Sequence, residues 1–230
     1  MKQTPPPLLL PRGLILAAAA WLIFSWILSV GLTPPVEASS ASYTPGVRLM
    51  LVYITIGLMI GWPLLRLSQA PKYWPLTQTI LDMVVLLSLI QVVIWPLRLI
   101  TPWTLDRTAA LDATMAAWTL LVGAIIASAI GTNKFGVRNL AIIGCIAISL
   151  LGPAIGLFVS TRGNSAFSIV QLGPIISVHK LASEGGNSRV ASLQWMMIMI
   201  PTMAAILAWA ALGIITNIRA NKSMHQPRCN

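Results

Sequence analysis

Six apolar runs, at approximately 14–32, 47–66, 79–97, 113–131, 139–159 and 193–217, dominate this chain. Each is long enough to cross a hydrocarbon core of about 30 Å, because a helix rises about 1.5 Å per residue and a span takes about 20 mostly apolar residues. A backbone surrounded by lipid must satisfy its own hydrogen bonds, and a helix does so within the segment. The runs therefore predict an all-α polytopic transmembrane bundle, with residues 1–230 forming a single integral membrane domain. Composition adds one exclusion. With 57% hydrophobic and 9% charged residues, against about 25% charged in a soluble domain, the chain has too little polar surface to face water on all sides. Membrane lipid is its first expected partner.

The net charge of +10 does not mark a nucleic-acid surface, since the basic residues form no dense stripe among stacking aromatics and instead punctuate the ends of apolar runs. Their distribution predicts an orientation. With the N-terminus in the cytoplasm, the inner side carries nine basic residues: Lys2, Arg12, Arg66, Lys72, Lys134, Arg138, Arg219, Lys222 and Arg228. The outer loops carry six, Arg48, Arg98, Arg107, Arg162, Lys180 and Arg189, together with Glu37, Asp106, Asp112 and Glu184. The positive-inside bias then places both termini in the cytoplasm, plausibly of a bacterial inner membrane. Trp62 and Trp74 flank the inner ends of spans two and three, and Trp95, Trp103, Trp118 and Trp195 lie near outer ends. Trp21 and Trp209 sit deeper, as packing residues.

The first run, with Val36-Glu37-Ala38 after it, imitates a signal peptide. Its apolar core of about 19 residues exceeds the usual 7–15, so retention of the span is expected. Cys145 lies within span five and Cys229 in the basic tail. At different levels they have no reason to pair, and both read as reduced thiols.

Helices in lipid associate through close approach at small residues rather than by hiding apolar surface. Gly57 and Gly61 supply such a face in span two, Gly123, Ala127 and Gly131 in span four, Gly152 and Gly156 in span five, and Ala204 and Ala208 in span six. Pro153 and Pro201 fall inside spans five and six, where they are expected to bend the helix. Between those spans, 160–192 contains the mostly apolar stretch Ala166 to Val178, broken by Gly173-Pro174 and followed by Gly185-Gly186-Asn187. It is too short to span and too apolar for a free loop. A re-entrant or interfacial hairpin on the outer face is expected.

Asp82 is the one acid inside a predicted span, and intramembrane ionisable residues point to function, such as a proton relay or a cation ligand. Thr79 and Asp82 also have the Thr-x-x-acid spacing of a capping box, and the structural cap is the preferred reading. Ser88 and Gln91 share a face of span three and can line a polar seam or bridge to a neighbouring helix, interhelical hydrogen bonding being the commoner role of such residues. Met196, Met199 and Met203 share a face of span six, and their thioethers suit Cu(I), although methionine is more often an adaptable filler. Arg98, Asp106, Arg107 and Asp112 read as headgroup anchors between spans three and four. The spans contain no histidine for haem ligation, no Walker A loop, no Gly-rich dinucleotide loop, no His-Glu-x-x-His and no cysteine knuckle. No catalytic residue, metal or cofactor is expected, and the chain is not read as an enzyme.

Six spans, a cytoplasmic turn between spans two and three and an outer hairpin between spans five and six resemble the layout of type-two ATP-binding-cassette exporter permeases. The resemblance is one of topology over most of the chain. It departs at Thr4-Pro5-Pro6-Pro7, where such permeases begin with an amphipathic interfacial helix, and it implies a separate ATPase chain docking near Ser68 to Leu76. A transport component working with such an ATPase is the expected function. The other reading is a non-catalytic structural or accessory subunit of a larger redox or photosynthetic membrane complex, since small-residue stripes and scarce in-span charge suit helices that bind other membrane subunits.

Overall fold

The computed structural model describes residues 11–32, 34, 37, 39–69, 75–130, 135–160, 173–183 and 189–224, and among these residues the regular structure is helical with no strand. Six helices are long and apolar enough to cross a membrane: α1 (Arg12–Gly31), α2 (Ser40–Leu67), α3 (Pro75–Leu97), α4 (Leu105–Ile130), α5 (Phe135–Ser160) and α7 (Ser192–Met224). A shorter helix, α6 (Pro174–Ser183), precedes the last span. The six expected runs each fall on one of the long helices. The protein is a multi-pass membrane protein.

Helices α2, α3 and α4 each start before their apolar runs, for local chemical reasons. Helix α2 starts well before residue 47 because the Ser39 side chain caps it, its Oγ accepting the Ser42 N–H at 3.2 Å. Helix α4 starts at Leu105 rather than 113, with Thr104 Oγ1 accepting the Arg107 N–H at 3.4 Å. Helix α3 starts at Pro75, whose fixed φ suits a first turn. The same preference makes Pro174 the first residue of α6, where the sequence had suggested a break.

Helix α4 is the axis of the bundle. Two thirds of its span window (67%) is buried, against 11% for α1, 22% for α5 and 17% for α7. Its buried face carries Ala110, Ala117, Gly123, Ala124, Ala127 and Ala129, which lets α3, α6 and α7 come close. At Gly123 the space of an absent side chain is filled by Met83 of α3 and the ring edge of Trp62 from α2. Two indoles tie the outer helices to this core: Trp209 Nε1 donates to the Leu120 carbonyl at 3.0 Å, and Trp21 Nε1 to the Tyr53 carbonyl at 2.9 Å.

The small residues work differently from simple helix-on-helix stripes. Gly57 is where the Trp21 indole sits, and a Cβ there would collide with its ring. A Cβ on Gly61 would meet open space, so this glycine makes no close approach. Gly152 backs directly onto Gly173, a Cβ at either standing 3.0–3.1 Å from the other's Cα. Gly156 is half-buried in α5, and Gly131 lies outside the described residues. On α7 the buried small residue is Ala205, while Ala204 is exposed.

Trp62, Trp103 and Trp118 are likewise buried in the bundle rather than standing in an interfacial belt, whereas Trp95 and Trp195 are exposed. Residues Gly57–Gly61 are wound as π-helix immediately before Pro63. The Trp62 N–H bonds the Gly57 carbonyl five residues back, the spacing of a π-turn. Helices α5 and α7 continue past Pro153 and Pro201.

Hydroxyls within the spans mostly bond their own helix. Thr55, Ser149 and Thr202 donate to the carbonyl four residues back at 2.7–2.8 Å, and Ser128 to that three back at 2.7 Å. Their hydrogen-bonding capacity is met within their own helix.

Candidate functional site

Asp82 is fully buried, and Arg66 is 8% exposed. They meet across α2 and α3, with Arg66 Nε 2.9 Å from Asp82 Oδ2. Gln78, one turn before Asp82, donates from Nε2 to Oδ1 at 3.2 Å, and Arg66 Nη1 donates to Gln69 Oε1 at 3.1 Å. Arg66 lies in the last turn of α2, where a cation is favoured by the helix dipole. A lone charge at this burial is expensive, and pairing with hydrogen-bonded neighbours removes most of the penalty. The arrangement is a charge-neutral clamp joining the helices on either side of the turn between α2 and α3.

This geometry overturns the capping-box expectation. Helix α3 begins at Pro75, so Thr79 lies in the second turn and cannot be the N-cap of Asp82's helix. The partner, Arg66, stands in the last turn of the preceding helix. A signal was nonetheless present: a sole in-span acid requires a cation at its own depth, and Arg66 closes the preceding apolar run.

The other expected polar residues do not join the pair. Ser88 is exposed and donates to the Val84 carbonyl of its own helix at 2.8 Å, and Gln91 is exposed on the same helix. Met196, Met199 and Met203 share an outward face of α7 and are 48–64% exposed. No group of three or more His, Cys, Asp or Glu able to hold a metal ion occurs among the described residues. Substituting leucine at all three methionines is expected to shift stability by less than about 0.5 kcal/mol, as for other exposed positions, which a melting curve in detergent checks.

A second polar cluster holds the opposite end of the bundle. Arg48 of α2 donates from Nε to the Ala182 carbonyl and from Nη2 to the Ser183 carbonyl, both at 2.9 Å, and so caps the C-terminus of α6. Asp106 Oδ2 accepts the Val190 N–H at 3.0 Å, fixing the entry to α7. Asp112 is half-buried, and Arg107 is fully buried. Of the four residues expected to anchor in headgroups, Arg98 alone is exposed; the other three belong to α4 and are buried or half-buried. Arg48→Leu removes two hydrogen bonds from a charged donor and is expected to lower stability by about 2–3 kcal/mol. A thiol placed at the buried Val178 of α6 should then become reactive below the global melting point.

Comparisons with protein-family models, with curated proteins and with solved structures found no match.

Proposed function

We propose that this chain is an integral membrane transport component, a permease subunit that works with a separate ATPase chain. The observation that carries the reading is the Arg66–Asp82 clamp. It locks together the two helices that flank the turn where an ATPase would dock, so a push on that turn moves α2 and α3 as one body. Residues 70–74 of the turn lie outside the described residues. On this reading both termini and that turn face the cytoplasm. Setting aside Arg66, Arg138, Arg48 and Arg107, whose guanidinium groups are held or buried within the bundle, leaves seven basic residues on the inner side against four on the outer. Helix α6, packed against α2, α4 and α5, is then the second arm of a re-entrant outer hairpin. The part of that hairpin within 161–172 and 184–188 falls outside the described residues. On the same reading the membrane is a bacterial inner membrane.

A second reading, an accessory subunit of a larger membrane complex, draws on the outward surfaces of α1, α5 and α7, which other helices can cover as readily as lipid. Purification in mild detergent separates the two. Co-isolation with a soluble ATPase, whose activity rises when the two are reconstituted together, supports transport. Co-isolation with pigment- or haem-bearing chains supports the accessory role and sinks the permease.

A further inference from the structure

Helix α3 turns one face into the bundle and another away from it. Met83, Leu86, Ile90 and Ile94 are buried, on the side where α3 packs against α4 and α1. The opposite face carries Thr77, Leu81, Val84, Ser88, Gln91 and Trp95, all exposed apart from the half-buried Leu81. Their spacing alternates four and three, so two copies of this face can mesh along its length as a left-handed helix pair. Ser88 is small enough to let two backbones approach, and its hydroxyl is already satisfied by the Val84 carbonyl of its own helix.

Gln91 decides what covers this face. The apolar part of α3 runs from Leu76 to Leu97, so Gln91 lies roughly 9 Å inside its C-terminal end at about 1.5 Å per residue. The Cα–Cβ bond tilts toward the helix N-terminus, which directs the side chain deeper rather than out to the nearer headgroups. Its amide offers two donors and an acceptor, and makes no hydrogen bond among the described residues. Acyl chains can satisfy none of these groups. The other exposed amides described in the long helices stand where water reaches them: Asn139 near the start of α5 at Phe135, and Asn217 beside the end of the apolar part of α7 at Ile218. A second copy of the chain meets the need of Gln91. Membrane insertion gives all copies one orientation, so a two-fold axis along the membrane normal brings equal depths together and sets Gln91 against Gln91. A side-chain amide is its own complement, each N–H donating to the other's carbonyl oxygen. Arg98 follows in the turn after Leu97, at the headgroup level, where water and salt screen one copy's charge from the other's.

We propose that the chain forms a parallel two-fold dimer through the outward face of α3, held by hydrogen bonds between the two Gln91 amides. The inference stands on the membrane fold and is independent of the transport reading.

The test uses the full chain carrying Cys229→Ser, with single thiols added and oxidised by copper phenanthroline in membranes. Val84→Cys and Ser88→Cys are expected to give a disulfide-linked dimer. Leu151→Cys on α5 and Leu207→Cys on α7, positions at least as exposed as Val84, should stay monomeric, and the parent chain with its buried Cys145 sets the baseline. Association is then measured by energy transfer between tagged wild-type chains reconstituted at falling protein-to-lipid ratios. Gln91→Leu should weaken dimerisation roughly tenfold, and Gln91→Asn, which keeps a self-complementary amide, should retain most of the affinity. The outward position of Gln91 leaves the fold of both variants intact, and their melting curves in detergent should match wild type. Equal association of Gln91→Leu and wild type would overturn the amide pair. Wild-type chains that stay monomeric at every ratio, or cross-linking no stronger at 84 and 88 than at 151 and 207, would show a face covered by lipid and overturn the dimer. Ser88→Cys joined in cells to a different chain would overturn it in favour of a foreign helix.

Discussion

Asp82→Ala is expected to lower stability by about 3–5 kcal/mol, because it leaves the Arg66 guanidinium buried without its counter-charge. The protein carries its own reporter for this. Cys145 is fully buried in α5, so with Cys229 replaced by serine a fluorogenic maleimide reacts as the bundle opens. The melting curve read this way should fall steeply for Asp82→Ala. Arg66→Met combined with Asp82→Leu removes both charges and should recover most of the loss, since an ion pair and an apolar pair of similar volume are often near equal in stability. The double variant also separates structure from function. A clamp that only joins α2 to α3 tolerates the exchange, whereas a charge used in transport leaves a folded protein without activity. A single variant melting like the wild type would show that the pair does not hold α2 to α3.

The second large effect is expected at Gly152. A Cβ there already stands 3.0 Å from the Gly173 backbone, which cannot swing aside as a side chain can. Gly152→Leu should therefore push the start of α6 away from α5 and cost about 2–3 kcal/mol, the upper range of overpacking penalties. The displaced α6 also strains the two hydrogen bonds from Arg48 to Ala182 and Ser183. Gly152→Leu and Arg48→Leu act on the same element, so their combination should lose less than the sum of the single losses. Strict additivity in the melting data would mean that α6 is not held jointly by these two contacts.

Particular residues show what can be read from a sequence of this kind. The six spans were legible because lipid forces each to be long and apolar, a signal carried by about 20 residues at once. Their ends were not, since Asp106, Arg107 and Asp112 read as loop charges until their places in the fold were visible. Arg66 and Asp82 were each conspicuous, but their pairing depends on which faces of α2 and α3 turn toward each other. Ser88 and Gln91 share a face in the sequence as in the structure, and only the packing shows that this face points outward. Gly57 and Gly61 have the same spacing as a helix-contact motif, yet one receives an indole and the other nothing. Spacing reports which residues share a face; what lies against that face is a property of the whole bundle.

The account rests on an even number of crossings, with α6 and the entry to α7 on the opposite side from both chain ends. In intact cells expressing a Cys229→Ser chain, single thiols at Arg12, Arg189 and Arg228 can be challenged with a maleimide that does not cross membranes. Labelling of Arg189→Cys, with Arg12→Cys and Arg228→Cys reached only after lysis, is the predicted result. Labelling of either terminal position from outside, or protection of position 189, would contradict it.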